Sequence, residues 1–218
     1  ADINYLKELR ELSNELGSIL IFDEITSGFR MCLGGIHQKY GVNPDIAVLA
    51  KALSNGYAMS VVMGIESVME SAQKTFISST NWTEKIGPTA ALATIKKYKY
   101  EGVAEQIIEI GNNVKKIWHS ASEINRLQIK ISGLPTLANF EFLDGDNLKK
   151  QTFFTTQMLN KGFLAFRQFK ASYAHKDCNL NKYADAVNDV FYLISKNEYD
   201  LIPNADIAHT GFSRITKE

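Results

Sequence analysis

The sequence predicts an α/β fold, and three patterns carry that prediction. A continuous apolar run, Ser18-Ile-Leu-Ile-Phe22, follows directly on an amphipathic helix and ends in Asp23-Glu24. A fully buried parallel strand reads this way when polar residues wait at its carboxyl end. Two further short strand patterns and two long helical stripes come next, and after about Asn125 short strands alternate with helices in a different rhythm. The expected architecture is part of a large domain over residues 1–124, a mainly parallel sheet with helices, followed by a small α+β domain over residues 125–218.

Taken in order, residues 2–16 place Ile3, Leu6, Leu9, Leu12 and Leu16 at helical spacing, with Asp2 as a cap and Gly17 as a stop. The strand 18–22 follows. Ile46 to Ala50 and Ser60 to Ile65 read as two more strands, and Asn55-Gly56 between them supplies turn chemistry. Thr83 to about Tyr98 and Gly102 to about Ile124 read as helices. The second repeats Val103, Ile107, Ile110, Val114, Ile117, Ala121 and Ile124 in steps of four and three, the stripe of a helix lying across a core. Beyond it come strands at 127–131 and 137–142, a helix near 148–160, and a strand at 163–166. A last helix carries Leu180, Tyr183, Val187, Val190 and Ile194, and the polar tail after Lys196 is expected to dock or fray.

Composition excludes several classes of partner. The 218 residues hold 24 Lys+Arg against 24 Asp+Glu, a formal net charge of zero, so no basic field favours nucleic acid and no polybasic run favours a membrane surface. No apolar run approaches the roughly 20 residues of a spanning helix. Cys32 and Cys178 lie far apart in a chain with no signal-like segment, which predicts reduced, buried thiols and a cytoplasmic protein. His37, His119, His175 and His209 show no metal-ligand spacing, and no metal is expected.

The chemistry gathers at two strand ends. Asp23 closes the first strand, and Lys51 follows the second, 28 positions later. If those strands are neighbours in one parallel sheet, a carboxylate and an amine project into one crevice at its carboxyl edge, where open α/β sheets bind ligands. Pyridoxal phosphate chemistry requires that pair: a lysine for the Schiff base, and a carboxylate that keeps the pyridine nitrogen protonated so that the ring accepts carbanion charge.

Four stretches carry a family resemblance: LIFDEITSGFR at 20–30, YGVNPDIAVLAKALSNGYAMSVVMG at 40–64, SSTNWTEKIGPTAALATI at 78–95 and GFLAFRQFKASYAHKD at 162–177. With them the chain resembles the class III aminotransferases of the fold-type-I pyridoxal phosphate enzymes, most closely the glutamate-1-semialdehyde 2,1-aminomutase branch. The resemblance implies Asp23 as partner of the pyridinium nitrogen, Ile25 as the aliphatic residue against one ring face, and Lys51 as the Schiff-base lysine. It also implies Thr80 as the threonine that reaches the cofactor phosphate across a dimer interface, and hence a homodimer with shared cofactor sites acting on a small amino or keto substrate. At positions 81–84 Asn, Trp, Thr and Glu depart from the small residues of the family pattern. Glu24 and Arg30 are read as structural.

Family members are roughly twice this length, and the resemblance covers their carboxyl-terminal half. The glycine-rich phosphate loop, the aromatic residue that stacks on the other ring face and the amino-terminal substrate residues are therefore expected outside this sequence. The expected function is amino-group transfer through Lys51, with the intramolecular aminomutase reaction as one alternative. The other is a fragment inactive without the amino-terminal half.

Overall fold

In the computed structural model, which describes residues 2–177, 180–201, 203, 207 and 208, helix α1 spans Ile3–Glu15. Its start is set by Asp2, whose side chain accepts the Asn4 N–H at 2.9 Å, and its end by the left-handed Gly17. Strand β1, Ile21–Asp23, pairs in parallel with β2, Ile46–Leu49, in the register Ile21 with Ile46 and Asp23 with Val48. A short helix α2, His37–Tyr40, lies on the connection. Strand β3, Val61–Gly64, runs antiparallel to β2, giving the order β1-β2-β3. The β2–β3 connection contains no crossover helix; a 3-10 turn at Lys51–Leu53 and positive φ at Asn55 and Gly56 turn the chain back on itself.

The sheet is therefore mixed, and β1 differs from the fully buried strand that its sequence predicts. Leu20 is buried and Phe22 half-buried, but Ile21 is 55% exposed. The side chains of β1 alternate between its two faces, and the face that carries Ile21 is left uncovered by the described residues. Helix α3, Glu66–Met69, and a 3-10 turn at Glu70–Lys74 lead toward α4, Ile86–Tyr100. That helix begins three residues later than its apolar pattern because the Glu84 carboxylate takes the N–H groups of Ile86 and Gly87 and caps it there.

Helix α5, Val103–Ile124, is the long one, and the chain divides within it into two compact units, Ala1–Gln106 and Ile107–Glu218. The second unit holds an antiparallel sheet in the order β4-β5-β6, with β4 at Ile129–Ser132, β5 at Leu137–Phe142 and β6 at Gln168–Lys170. Helices α6, Asn147–Asn160, and α7, Leu180–Ser195, complete it. Its core joins Val114 and Trp118 of α5, Phe140 and Phe142 of β5, Phe154 and Met158 of α6, and Val187, Val190 and Phe191 of α7. The α5 stripe turns through Trp118 and leaves Ile124 exposed. The Trp118 indole N–H donates to the Tyr183 hydroxyl at 2.9 Å, and burial pushes that hydroxyl up to about 12.

The strand expected at 163–166 does not form; β6 starts at Gln168. Phe163 and Ala165 pack against the core while Leu164 is 97% exposed, so the period-2 alternation is present as packing. The pairing that makes a strand begins only where the Phe140 N–H reaches the Arg167 carbonyl. The start of the tail docks through buried Tyr199, and most of it, with Cys178 and His209, lies outside the described residues. Cys32 is a half-buried free thiol that donates to the Gly35 carbonyl at 3.2 Å, and burial pushes it up. Among the described residues no helix is long and apolar enough to cross a membrane.

Candidate active site

Because β1 and β2 are parallel and Asp23 sits opposite Val48, their carboxyl ends form one edge, and Lys51 begins the turn three residues beyond Val48. Its backbone is left-handed, with φ +50, directly after an extended Ala50. A side chain with a Cβ adopts that conformation at a cost of about 1 to 2 kcal/mol, and such outliers gather at functional positions. The Lys51 ammonium donates to Thr26 Oγ1 at 2.6 Å. Asp23 is exposed, and its Oδ1 accepts the Ile25 N–H at 3.0 Å, the hydrogen bond that starts the turn after β1. Ile25 is half-buried in that turn.

Asp23, Ile25 and Lys51 thus share one sheet edge. Thr80 is not joined to them: it is exposed in the segment before α4, flanked by exposed Phe76, Ile77 and Trp82. A hollow of about 490 Å³ includes Arg30, Lys51 and Tyr57. A larger cavity of about 750 Å³ in the same unit is lined by apolar Ala47, Leu49, Met63 and Leu92 and includes none of the four candidate residues. Chemistry rather than size marks the site.

The loop after β1 is fixed by Glu24, which is 2% exposed. Its carboxylate accepts the Ile36 N–H at 2.6 Å, the His37 N–H at 3.0 Å and the Ser27 hydroxyl at 3.1 Å. His37 Nδ1 lies 2.6 Å from Oε1, so the ring carries a hydrogen there, facing an acceptor-only carboxylate. Burial alone would push the Glu24 carboxyl up; the donors outweigh it and hold it below the usual carboxylate range. Glycine is required at position 35, where a Cβ would sit 2.4 Å from His37 Nδ1 and 2.8 Å from Glu24 Oε1. Glu24 is engaged by Ile36, His37 and Ser27 within its own loop. Thr26 was not anticipated as a partner of Lys51, although its place three residues after Asp23 in the 20–30 stretch is the signal that could have found it.

The Aminotransferase class-III family matches residues 1–172. The chain is 30% identical over 198 residues to a 3-aminobutyryl-CoA aminotransferase of Cloacimonas acidaminovorans, covering 88% of this chain and 48% of that relative. It is 34% identical over 204 residues to a glutamate-1-semialdehyde 2,1-aminomutase of Nitrosopumilus maritimus, covering 84% and 48%. Among solved structures, the pyridoxal phosphate internal aldimine form of the FumI protein of Sphingopyxis sp. MTA144 superposes with a TM-score of 0.87 at 20% identity, over 94% of this chain and 50% of that one. An omega-transaminase from Sphaerobacter thermophilus gives 0.79 at 17%, over 90% and 49%. These likenesses establish the α/β fold of type-I pyridoxal phosphate transaminases, and the chain spans about half the length of the curated relatives it matches. By the extent of the family match and the identity to its relatives, the chain belongs to the class III aminotransferase family.

Proposed function

We propose that the protein takes part in pyridoxal-phosphate-dependent amino-group transfer between small amino and keto compounds, with Lys51 attaching the cofactor. The observation that carries this reading is the pairing of Asp23 and Lys51 beyond adjacent parallel strands, with Lys51 in a left-handed backbone and its Nζ on a neutral hydroxyl. That donor set fits the cofactor: an amine for the aldehyde carbon, a carboxylate for the ring nitrogen and, in Ile25, an aliphatic side chain for one ring face. Bound there, pyridoxal phosphate supplies an aldehyde that condenses with amines and a protonated ring that accepts carbanion charge. Asp23 holds the proton on the ring nitrogen. Lys51 Nζ, once free of the cofactor, accepts and returns a proton at the substrate carbon.

Thr80 is assigned to the cofactor phosphate of a neighbouring subunit, so the working form is a homodimer. The exposed Phe76, Ile77 and Trp82 beside it suit a partner surface. Residues 1–124 form part of the large cofactor domain and 125–218 the small one, and the zero net charge and sparse cysteines support a cytoplasmic location. A second reading, the intramolecular aminomutase reaction, is favoured by the relatives that carry that name. Product analysis divides the two: an aminomutase returns the amine to the same molecule.

The test is reduction with borohydride after incubation with pyridoxal phosphate, followed by mapping of the phosphopyridoxyl peptide. Lys51 should carry the group, and trapping on another lysine overturns the assignment. No trapping at all would leave the reading in which this chain acts only beside the rest of a class III fold. Light scattering and the cofactor affinity of Thr80→Ala test the dimer, which a monomer with unchanged affinity would refute.

A further inference from the structure

We propose that Thr26 is the positioning residue of Lys51: its hydroxyl sets where Nζ sits. The inference rests on the reading of Lys51 as the cofactor lysine. It starts from the partners of Nζ. Lys51 forms no ion pair among the described residues, although two carboxylates stand two and three positions before Thr26. Asp23 Oδ1 is taken by the Ile25 N–H, and Glu24 is buried and turned to Ile36, His37 and Ser27. The amine meets Thr26 Oγ1 instead, at 2.6 Å.

The choice of group matters for an amine that must change protonation state. A carboxylate stabilises the ammonium and resists its deprotonation. A hydroxyl accepts a hydrogen bond from the ammonium and donates one to the neutral amine, so the contact survives the proton transfer in both directions. The hydroxyl is also well placed to act as a fixed point. The loop around it is tied by Ile25 N–H to Asp23, by Ser27 Oγ to Glu24 and by Gly28 N–H to the Glu24 carbonyl at 2.8 Å. Gly28 packs on β2 so closely that a Cβ there would lie 2.6 Å from Leu49 Cδ2, two residues before Lys51. Thr26 and Lys51 therefore sit on backbones held against each other, and the branched Thr side chain has few rotamers through which to leave.

The experiment labels the chain with trace acetic anhydride across a pH series without cofactor and reads acetylation of Lys51 by mass spectrometry. Losing the hydrogen bond frees Nζ from the hydroxyl and leaves it more accessible to the reagent. Thr26→Val and Thr26→Ala should raise Lys51 labelling about three- to tenfold near neutral pH, with Thr26→Ser at the wild-type rate. Wild-type labelling in Thr26→Val and Thr26→Ala, or a Thr26→Ser that behaves like them, overturns the proposal; circular dichroism confirms that each variant is folded. Cofactor attachment is read in parallel by borohydride trapping and should slow about tenfold in Thr26→Val. Equal attachment rates refute the positioning role while leaving Lys51 as the attachment site. No attachment in any variant, with the labelling pattern intact, removes cofactor attachment by this chain alone and still supports the hold of Thr26 on Nζ.

Discussion

In the second unit Trp118, Phe142, Phe154 and Phe191 close around Phe140 at ring-centroid separations of 4.8 to 5.7 Å, whereas the first leaves Ile19, Ile21, Val62 and Met63 about half exposed on or beside its sheet. The aromatic arrangement is a self-contained core in which every face of the central ring has a partner. The other is a three-stranded sheet in which β1 has one neighbour among the described residues, and its carboxyl edge carries Asp23, Ile25 and Lys51. Packing energy and candidate chemistry are thus concentrated in different parts of the chain. Substitutions should divide accordingly: at the sheet edge they change chemistry with little change in stability, and around Phe140 they do the reverse.

The largest effect expected is chemical. Lys51→Ala should abolish phosphopyridoxyl trapping at that position completely, because no other amine lies in the turn at 51–57. Its thermal midpoint should stay near wild type, since the side chain is exposed. A large loss of stability would break the division between the two regions.

Next comes the core. Phe140→Ala removes the ring at the centre of the aromatic cluster and should cost about 3 to 5 kcal/mol, read by denaturant unfolding with Trp118, its neighbour at 4.8 Å, as the fluorescent reporter. Ile21→Ala on the exposed face of β1 should cost under about 0.5 kcal/mol. Comparable costs would mean that the exposed face is covered in solution.

A smaller effect tests the fit of α5 to its neighbours. Ala in place of a glycine inside a helix normally stabilises by about 1 kcal/mol. At Gly111 the sign should invert, because a Cβ there would lie 1.9 Å from the Pro135 carbonyl oxygen and 2.4 Å from its carbon. Backbone must move to admit it, and Gly111→Ala should cost about 1 to 3 kcal/mol in the same unfolding experiment.

These residues also mark what a sequence reveals. The helical stripe through Val114 and Ala121 was legible because burial repeats with the helix period, and the places of Asp23 and Lys51 at strand ends were legible because each follows an apolar run, while their proposed roles come from the family resemblance. Burial on a single face of β1 was not, since an apolar run carries no record of which of its faces another layer covers. The 163–166 segment misled for a related reason: alternation reports which side chains face a core, and Phe163 and Ala165 do, while hydrogen bonding to β5 waits for Arg167. Thr26 and the Glu24–His37 contact have no periodic signature at all. They join residues 25 and 13 positions apart through loop geometry that only the folded chain supplies.

The finest test of the comparison is the polar clamp that holds the loop after β1, built on the well-buried Glu24 carboxylate beside the candidate site. Glu24→Gln keeps the shape but replaces an acceptor-only group by an amide whose NH₂ must face the N–H of Ile36 or of His37, so it should cost about 1 to 3 kcal/mol. The pH dependence has a definite sign. The Glu24 carboxyl is held below its usual range in the folded chain, so the unfolded chain takes up its proton first as pH falls. Its contribution is therefore fully present above about pH 4.3, the value of a free glutamate. It is lost as pH falls through the lower folded value. In Glu24→Gln that portion of the acid destabilisation should vanish, so wild-type and variant stabilities converge below pH 4 and separate above pH 5. Parallel curves across that window would show that the clamp acts through packing of the loop and that its charge contributes nothing.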